Sequence, residues 1–201
     1  MCTQVSEIRK KEAAHLTEAV RGALMDLNFL DVKFTMEFGK MEDYTSTGID
    51  DAEFLISTNP GESVKPLSQV ASGGELSRIM LASKTVLAGR DEIDTLIFDE
   101  IDTGISGKTA WKVSEQLDVV ARTHQVICIT HLPQIAAMAD VHFVIEKSST
   151  DENTITDIRC MEEEESLAEL ARLLGSDTLT EAALTNAREM KAQAREHKEN
   201  A

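Results

Sequence analysis

Between Thr95 and Ile145 short apolar runs alternate with helix-length stretches, and that alternation leaves few folds open to this chain. Thr95-Leu96-Ile97-Phe98, Val126-Ile127-Cys128-Ile129 and Val141-His142-Phe143-Val144-Ile145 have the length of strands rather than helices. Between them lie a helical stretch over about Lys108 to Ala121 and a shorter one opened by His131. Continuous apolar strands separated by helices imply a parallel sheet covered on both faces. The expected fold class is therefore α/β with a mainly parallel sheet. Leu96–Phe98, Val126–Ile129 and Val141–Ile145 should share that sheet, with Asp99 and His131 at one common edge.

Upstream, Val5, Ile8, Leu16, Val20, Leu24 and Leu27 recur mainly at helical spacing, so a long amphipathic helix is expected over Val5–Leu27. It starts without a capping residue, as the end of a coiled-coil arm cut from a longer chain would, although periodicity alone fits a plain N-terminal surface helix as well. Strands are expected at Val32–Phe38 and Ala52–Ser57, followed by a turn at Asn59-Pro60-Gly61-Glu62. A further helix should run from about Glu75 to Leu87. Downstream, an edge strand is expected at Thr154–Cys160, then helices over about Ser166–Leu174 and Thr180–His197. The acidic run Glu162–Glu165 reads as a solvated helix start.

With 20 Lys+Arg against 36 Asp+Glu the net charge is −16, which opposes a broad surface for nucleic-acid phosphates. Three dispersed cysteines, Cys2, Cys128 and Cys160, exclude a disulfide framework and a CxxC zinc site, and fit a reducing compartment. No apolar run approaches the ~18 residues of a membrane span. The chain reads as soluble and cytoplasmic, with no membrane partner.

Three constellations carry chemistry. Ser72-Gly73-Gly74-Glu75 opens a helix, and two glycines there let an anion approach unpaired N–H groups at the positive dipole end. A lone Ser-Gly-Gly is more often a glycine-rich capping turn with no ligand. Leu96-Ile97-Phe98-Asp99-Glu100 is an apolar strand ending in adjacent carboxylates, like a Walker B motif: Asp99 for Mg²⁺, Glu100 for the attacking water. Ile129-Thr130-His131 puts a histidine at the end of the next strand, where it could sense a terminal phosphate. Gly107-Lys108-Thr109 has the tail of a P-loop, but Asp102 stands where the first glycine belongs. The chain has an ATPase's carboxylates without its phosphate cradle.

In this order, the three motifs resemble the C-terminal half of an ABC-type ATPase head: signature, Walker B and switch histidine. The longer stretches Val70-Ala71-Ser72-Gly73-Gly74-Glu75-Leu76-Ser77-Arg78, Phe98-Asp99-Glu100-Ile101-Asp102-Thr103-Gly104-Ile105-Ser106-Gly107 and Thr130-His131-Leu132-Pro133-Gln134-Ile135-Ala136 are similar to the RecN family of SMC-related repair ATPases. The resemblance implies a P-loop NTPase-like head half, with residues 1–28 as the end of a coiled-coil arm and residues 29–201 as the C-terminal lobe. It implies ATP and Mg²⁺ as cofactors, with Asp99 on the metal, Glu100 as general base and His131 on the γ-phosphate. Ser72, Gly73, Gly74 and Glu75 would meet the ATP held by a second head. Implied partners are the N-terminal P-loop half, a second head in a homodimer, and DNA through the whole protein. Nucleoid association would follow when it acts on DNA. Ser106 departs from the Asp usual after Walker B, leaving inter-head communication through it open. Competing readings are another SMC-like head, a transporter ATPase fragment and a non-hydrolysing acidic interaction module.

Overall fold

The computed structural model describes residues 2–70, 72–87, 92–149, 154–175 and 179–200. They form two compact units, Met1–Gly104 with Val119–Ile129, and Ile105–Asp118 with Thr130–Ala201.

The first unit opens with helix α1 (Cys2–Asp26), whose Ala13, Thr17, Val20 and Leu24 form one buried stripe at helical spacing. It ends in a left-handed turn at Asn28 (φ 69°), a conformation that asparagine tolerates better than most residues. Phe29 is thereby turned back, its N–H donating to Leu24 O at 3.1 Å. Strands β1 (Lys33–Thr45) and β2 (Gly48–Ser57) form an antiparallel hairpin, and the two-residue β3 (Lys65–Pro66) pairs with β2. Phe34 and Phe54 stack diagonally across the hairpin, 5.2 Å between centroids, on the face that covers α1 and the core residue Ile56.

Beyond its buried stripe α1 is clasped by polar groups. Ser6 Oγ donates to Asp50 Oδ1 at 2.6 Å, and the Arg9 guanidinium donates to Asp50 Oδ2 at 2.9 Å and to Thr47 O at 2.7 Å. The Ser6 hydrogen bond first, and the Arg9 contact second, hold the Asp50 carboxyl below the ordinary aspartate range.

Helix α2 (Gly73–Val86) follows, burying Gly74, Arg78, Ile79, Leu81 and Ala82. Then β4 (Thr95–Phe98) and β5 (Gln125–Cys128) pair in parallel, with Ile97 opposite Ile127. Phe98 turns into the core. The opposite face is bare: Ile97, Ile127 and Ile129 are 68%, 45% and 49% exposed.

The second unit holds most of α3 (Gly107–Ala121), then α4 (Pro133–Met138), β6 (Phe143–Ser149), β7 (Thr154–Cys160), α5 (Glu163–Leu173) and α6 (Glu181–Asn200). Ala136, Ala137, Leu170, Ala171, Ala187 and Met190 make its core, with Trp111 and Leu184 packed alongside. The acidic run is a capping box, in which Glu162 N donates to the Glu165 side chain at 3.0 Å. Glu163 reaches Lys191 at 3.0 Å and Arg195 at 2.7 Å on α6.

The expected mainly parallel sheet is wrong. Of the seven strands described, five pair antiparallel, β1-β2-β3 and β6-β7, and only β4 and β5 are parallel. Val141–Ile145 does not join the β4–β5 sheet. Its residues from Phe143 onward pair with β7, Ile145 opposite Ile158. A helical crossover, α3, joins the parallel pair β4 and β5, and a short link lets β6 and β7 pair antiparallel; the β5–β6 connection carries a helix too, α4, so link length left β6 a choice of partner.

Candidate functional site: the glycine turn and the carboxylate loop

Ser72 adopts an extended backbone at the start of α2, and its Oγ accepts the Glu75 N–H at 3.3 Å. The first intrahelical bond runs from Leu76 N to Ser72 O, so the Gly73 and Gly74 N–H groups have no partner within the helix. Glu75 adds negative charge to that first turn.

Asp99 and Glu100 leave the end of β4, both exposed. Asp99 Oδ1 accepts the Glu100 N–H at 2.9 Å. Glu100 has φ 58°, a left-handed conformation uncommon for a residue other than glycine, asparagine or aspartate. Strain of that kind costs on the order of 1–3 kcal/mol and clusters at functional sites. The chain then closes a turn, Thr103 N donating to Glu100 O at 3.0 Å.

This loop lies directly on the glycine turn. A Cβ on Gly74 would stand 2.9 Å from Glu100 O and 3.0 Å from both Thr103 O and Thr103 Cβ. A Cβ on Gly73 would overlap the Glu100 carboxylate. The two glycines therefore serve packing against the chain's own loop as well as leaving N–H groups open. Two further α2 residues grip the loop. Ser77 Oγ donates to Asp99 O at 2.8 Å, and the Arg78 guanidinium donates to Ile101 O at 3.1 Å and Thr103 O at 3.0 Å. Arg78 is 7% exposed and lies 5.6 Å from the centroid of the Phe29 ring. Burial lowers its pKa, partly opposed by the charge of Glu75. Neither Ser77 nor Arg78 stood out in the sequence. The signal was there in a charged residue four positions after Gly74, within the buried stripe of α2.

Cys128, at the end of β5, is a partly buried thiol. Burial pushes its pKa up to about 12, and the charges of Asp102 and Asp99 add to that.

The structure thus brings Ser72, Gly73, Gly74, Glu75, Asp99 and Glu100 together in the first unit. His131 belongs to the second unit. It is exposed, in the segment before α4 where Leu132 N donates to Thr130 Oγ1 at 3.0 Å. Ser106, also in that unit, is exposed, and its carbonyl accepts Thr109 N at 3.2 Å at the start of α3.

Among the described residues no three His, Cys, Asp or Glu side chains cluster to hold a metal ion. One exposed carboxylate suits Mg²⁺, which keeps several waters and takes its other ligands from substrate phosphates. The open N–H groups at the head of α2 suit a phosphate. No helix among the described residues is long and apolar enough to cross a membrane.

No protein-family model matches the chain. The DNA repair protein RecN of Halalkalibacterium halodurans is 42% identical over 190 residues, covering 92% of this chain and 34% of that protein. Bacillus subtilis RecN is 40% identical over 205 residues (94% and 36%), and Treponema pallidum RecN 45% over 177 (85% and 31%). Among solved structures, the Smc head domain with a coiled coil from Pyrococcus yayanosii superposes with a TM-score of 0.56 at 21% identity, over 82% of this chain and 30% of that one. The Pyrococcus furiosus Smc head bound to the C-terminal domain of ScpA gives 0.51 at 21%, over 82% and 39%. The fold is accordingly that of the matching part of an Smc head domain. The chain spans about a third of the length of the curated relatives it matches. Two-fifths identity across more than nine-tenths of its residues shows that it belongs to the family of the bacterial DNA repair protein RecN.

Proposed function

We propose that this chain is the C-terminal portion of an ATPase head that acts in DNA double-strand break repair and recombination. Residues 1–28 are the end of its coiled-coil arm and residues 29–201 its C-terminal lobe. The observation that carries the reading is the packing of the carboxylate loop on the glycine turn, in a chain with this family membership. In an ABC-type head those are the Walker B and signature motifs. A P-loop supplied by the N-terminal half of the whole protein would hold ATP, and the uncovered Ile97–Ile127–Ile129 face is where that half would pack. A groove of about 250 Å³ lined by Leu76, Met80 and Leu96 continues the apolar surface.

In this reading Asp99 offers the carboxylate for Mg²⁺, which supplies charge neutralisation on the phosphates. Glu100 orients the attacking water and accepts its proton, and His131 reads the γ-phosphate. The Ser72-Gly73-Gly74-Glu75 turn faces the ATP of a second head, so hydrolysis belongs to a head dimer and DNA engagement to the whole protein.

The test is single-turnover hydrolysis by the full-length protein, measured beside ATP-dependent head association. A general base contributes ~10²–10⁴ in rate. Glu100→Gln should therefore lose hydrolysis by that order while ATP still binds and the heads stay paired. Near-wild-type turnover by Glu100→Gln would remove Glu100 from the role of base.

A further inference from the structure

We propose that Ser77 and Arg78 are positioning residues, which fasten the carboxylate loop to helix α2 so that the glycine turn and the Asp99–Glu100 pair move as one body. The inference rests on the reading of those motifs as parts of the two composite ATP sites of a head dimer, and it concerns residues outside the Ser72–Glu75 turn and the Asp99–Glu100 pair.

Of the five carbonyls from Asp99 to Thr103, three accept hydrogen bonds from α2 side chains: Asp99 O from Ser77, and Ile101 O and Thr103 O from Arg78. A fourth, Glu100 O, accepts the Thr103 N–H and abuts Gly74. The loop is thus tied at its start, middle and end to two consecutive residues, one turn along the helix from the glycines. Both Asp99 and Glu100 lie within the tied segment, and Glu100 holds a left-handed backbone that only over-determined surroundings keep in place.

The chemistry of Arg78 argues that the tie serves geometry. Burying a guanidinium is costly, and an apolar side chain of similar volume often serves stability as well or better. Here the charge is spent on neutral carbonyls two residues apart. Both bonds leave one nitrogen, Nη1, whose N–H directions are fixed by the planar guanidinium, whereas a lysine ammonium could reach the carbonyls only from a freely rotating stem. The Phe29 ring restricts the guanidinium on another side.

A displacement of ~1 Å in a reacting group costs on the order of 10²-fold in rate. The test uses the full-length protein and compares Ser77→Ala, Arg78→Lys and Arg78→Met by two readouts. The first is amide hydrogen exchange across Asp99–Thr103 without nucleotide. The second is the kcat and KM of Mg²⁺-dependent ATP hydrolysis. Arg78→Met should speed exchange at the Thr103 amide about tenfold or more, and should lower kcat on the order of 10²-fold with KM little changed. Arg78→Lys should recover part of that loss, and Ser77→Ala should give a smaller effect of the same kind. Unchanged loop exchange in the folded variants would overturn the proposal, as would a kcat loss that merely follows a rise in KM. If Arg78→Met does not fold, Arg78→Lys and Ser77→Ala decide by the same criteria. Should the wild type hydrolyse no ATP at all, the proposed function fails, and the exchange measurement still decides whether the loop is fastened.

Discussion

Gly73 and Gly74 are neighbours with different reasons to lack a side chain. What a methyl group at Gly74 would strike is backbone, Glu100 O and Thr103 O, which cannot move without dragging the carboxylate loop. At Gly73 it would strike the far end of the flexible Glu100 side chain. Gly74→Ala should therefore destabilise the protein by about 1–3 kcal/mol, the range for overpacking a tight site. Gly73→Ala should shift stability by no more than about 0.5 kcal/mol and instead re-aim the Glu100 carboxylate. Thermal denaturation of the two variants checks the contrast. Equal destabilisation would mean that the loop is not seated as described. At this scale the sequence was informative about chemistry and silent about support. Ser72, Gly73, Gly74, Asp99 and Glu100 are visible as motifs because each spacing implies a ligand. Ser77 and Arg78 act on backbone carbonyls from 22 to 25 residues away, and no local pattern announces such a partner.

Helices were legible almost to their ends, because a 3.6-residue apolar period survives in the sequence whatever the helix packs on. Thus α3 runs Gly107–Ala121 against an expected Lys108–Ala121, and α2 begins at the glycines themselves rather than at Glu75. Strand direction was not legible. An apolar run signals a strand but carries no information about its partner's polarity. In β6 it misled further, since Phe143 and Ile145 are 57% and 54% exposed rather than buried on both sides. The clasp between α1 and the β1–β2 hairpin was equally hidden, because Ser6, Arg9 and Asp50 read as ordinary surface residues. It carries a pH dependence whose sign follows from Asp50. A carboxyl held below its ordinary range contributes its stabilisation above the unfolded aspartate pKa, and loses it as pH falls through the folded value. Amide exchange in the first turns of α1, corrected for its intrinsic pH dependence, should accordingly be steady at neutral pH and rise only in acid below the aspartate range. Asp50→Asn should raise that exchange at neutral pH and flatten its response to acid.

For the 201 residues as a whole, the missing phosphate cradle sets the expectation. Without P-loop N–H groups and lysine, the purified chain should neither bind ATP tightly nor hydrolyse it. Calorimetry and a steady-state assay check this, and turnover lost in Asp99→Ala would show that the chain carries a cradle of another kind. At a net charge of −16 it should also bind duplex DNA weakly at physiological salt. Tight binding with a steep salt slope in a fluorescence titration would reveal a local basic surface.

The bare isoleucines of β4 and β5 have a colloidal consequence. Copies of this chain carry an apolar strip that favours self-association, and a shared excess of negative charge that keeps them apart. The repulsion reaches ~30 Å at 0.01 M salt and only ~8 Å at 0.15 M, whereas attraction between apolar faces does not weaken with ionic strength in that way. The isolated chain would therefore be best dispersed in dilute buffer and would cluster as salt is added, opposite to a complex held by complementary charge.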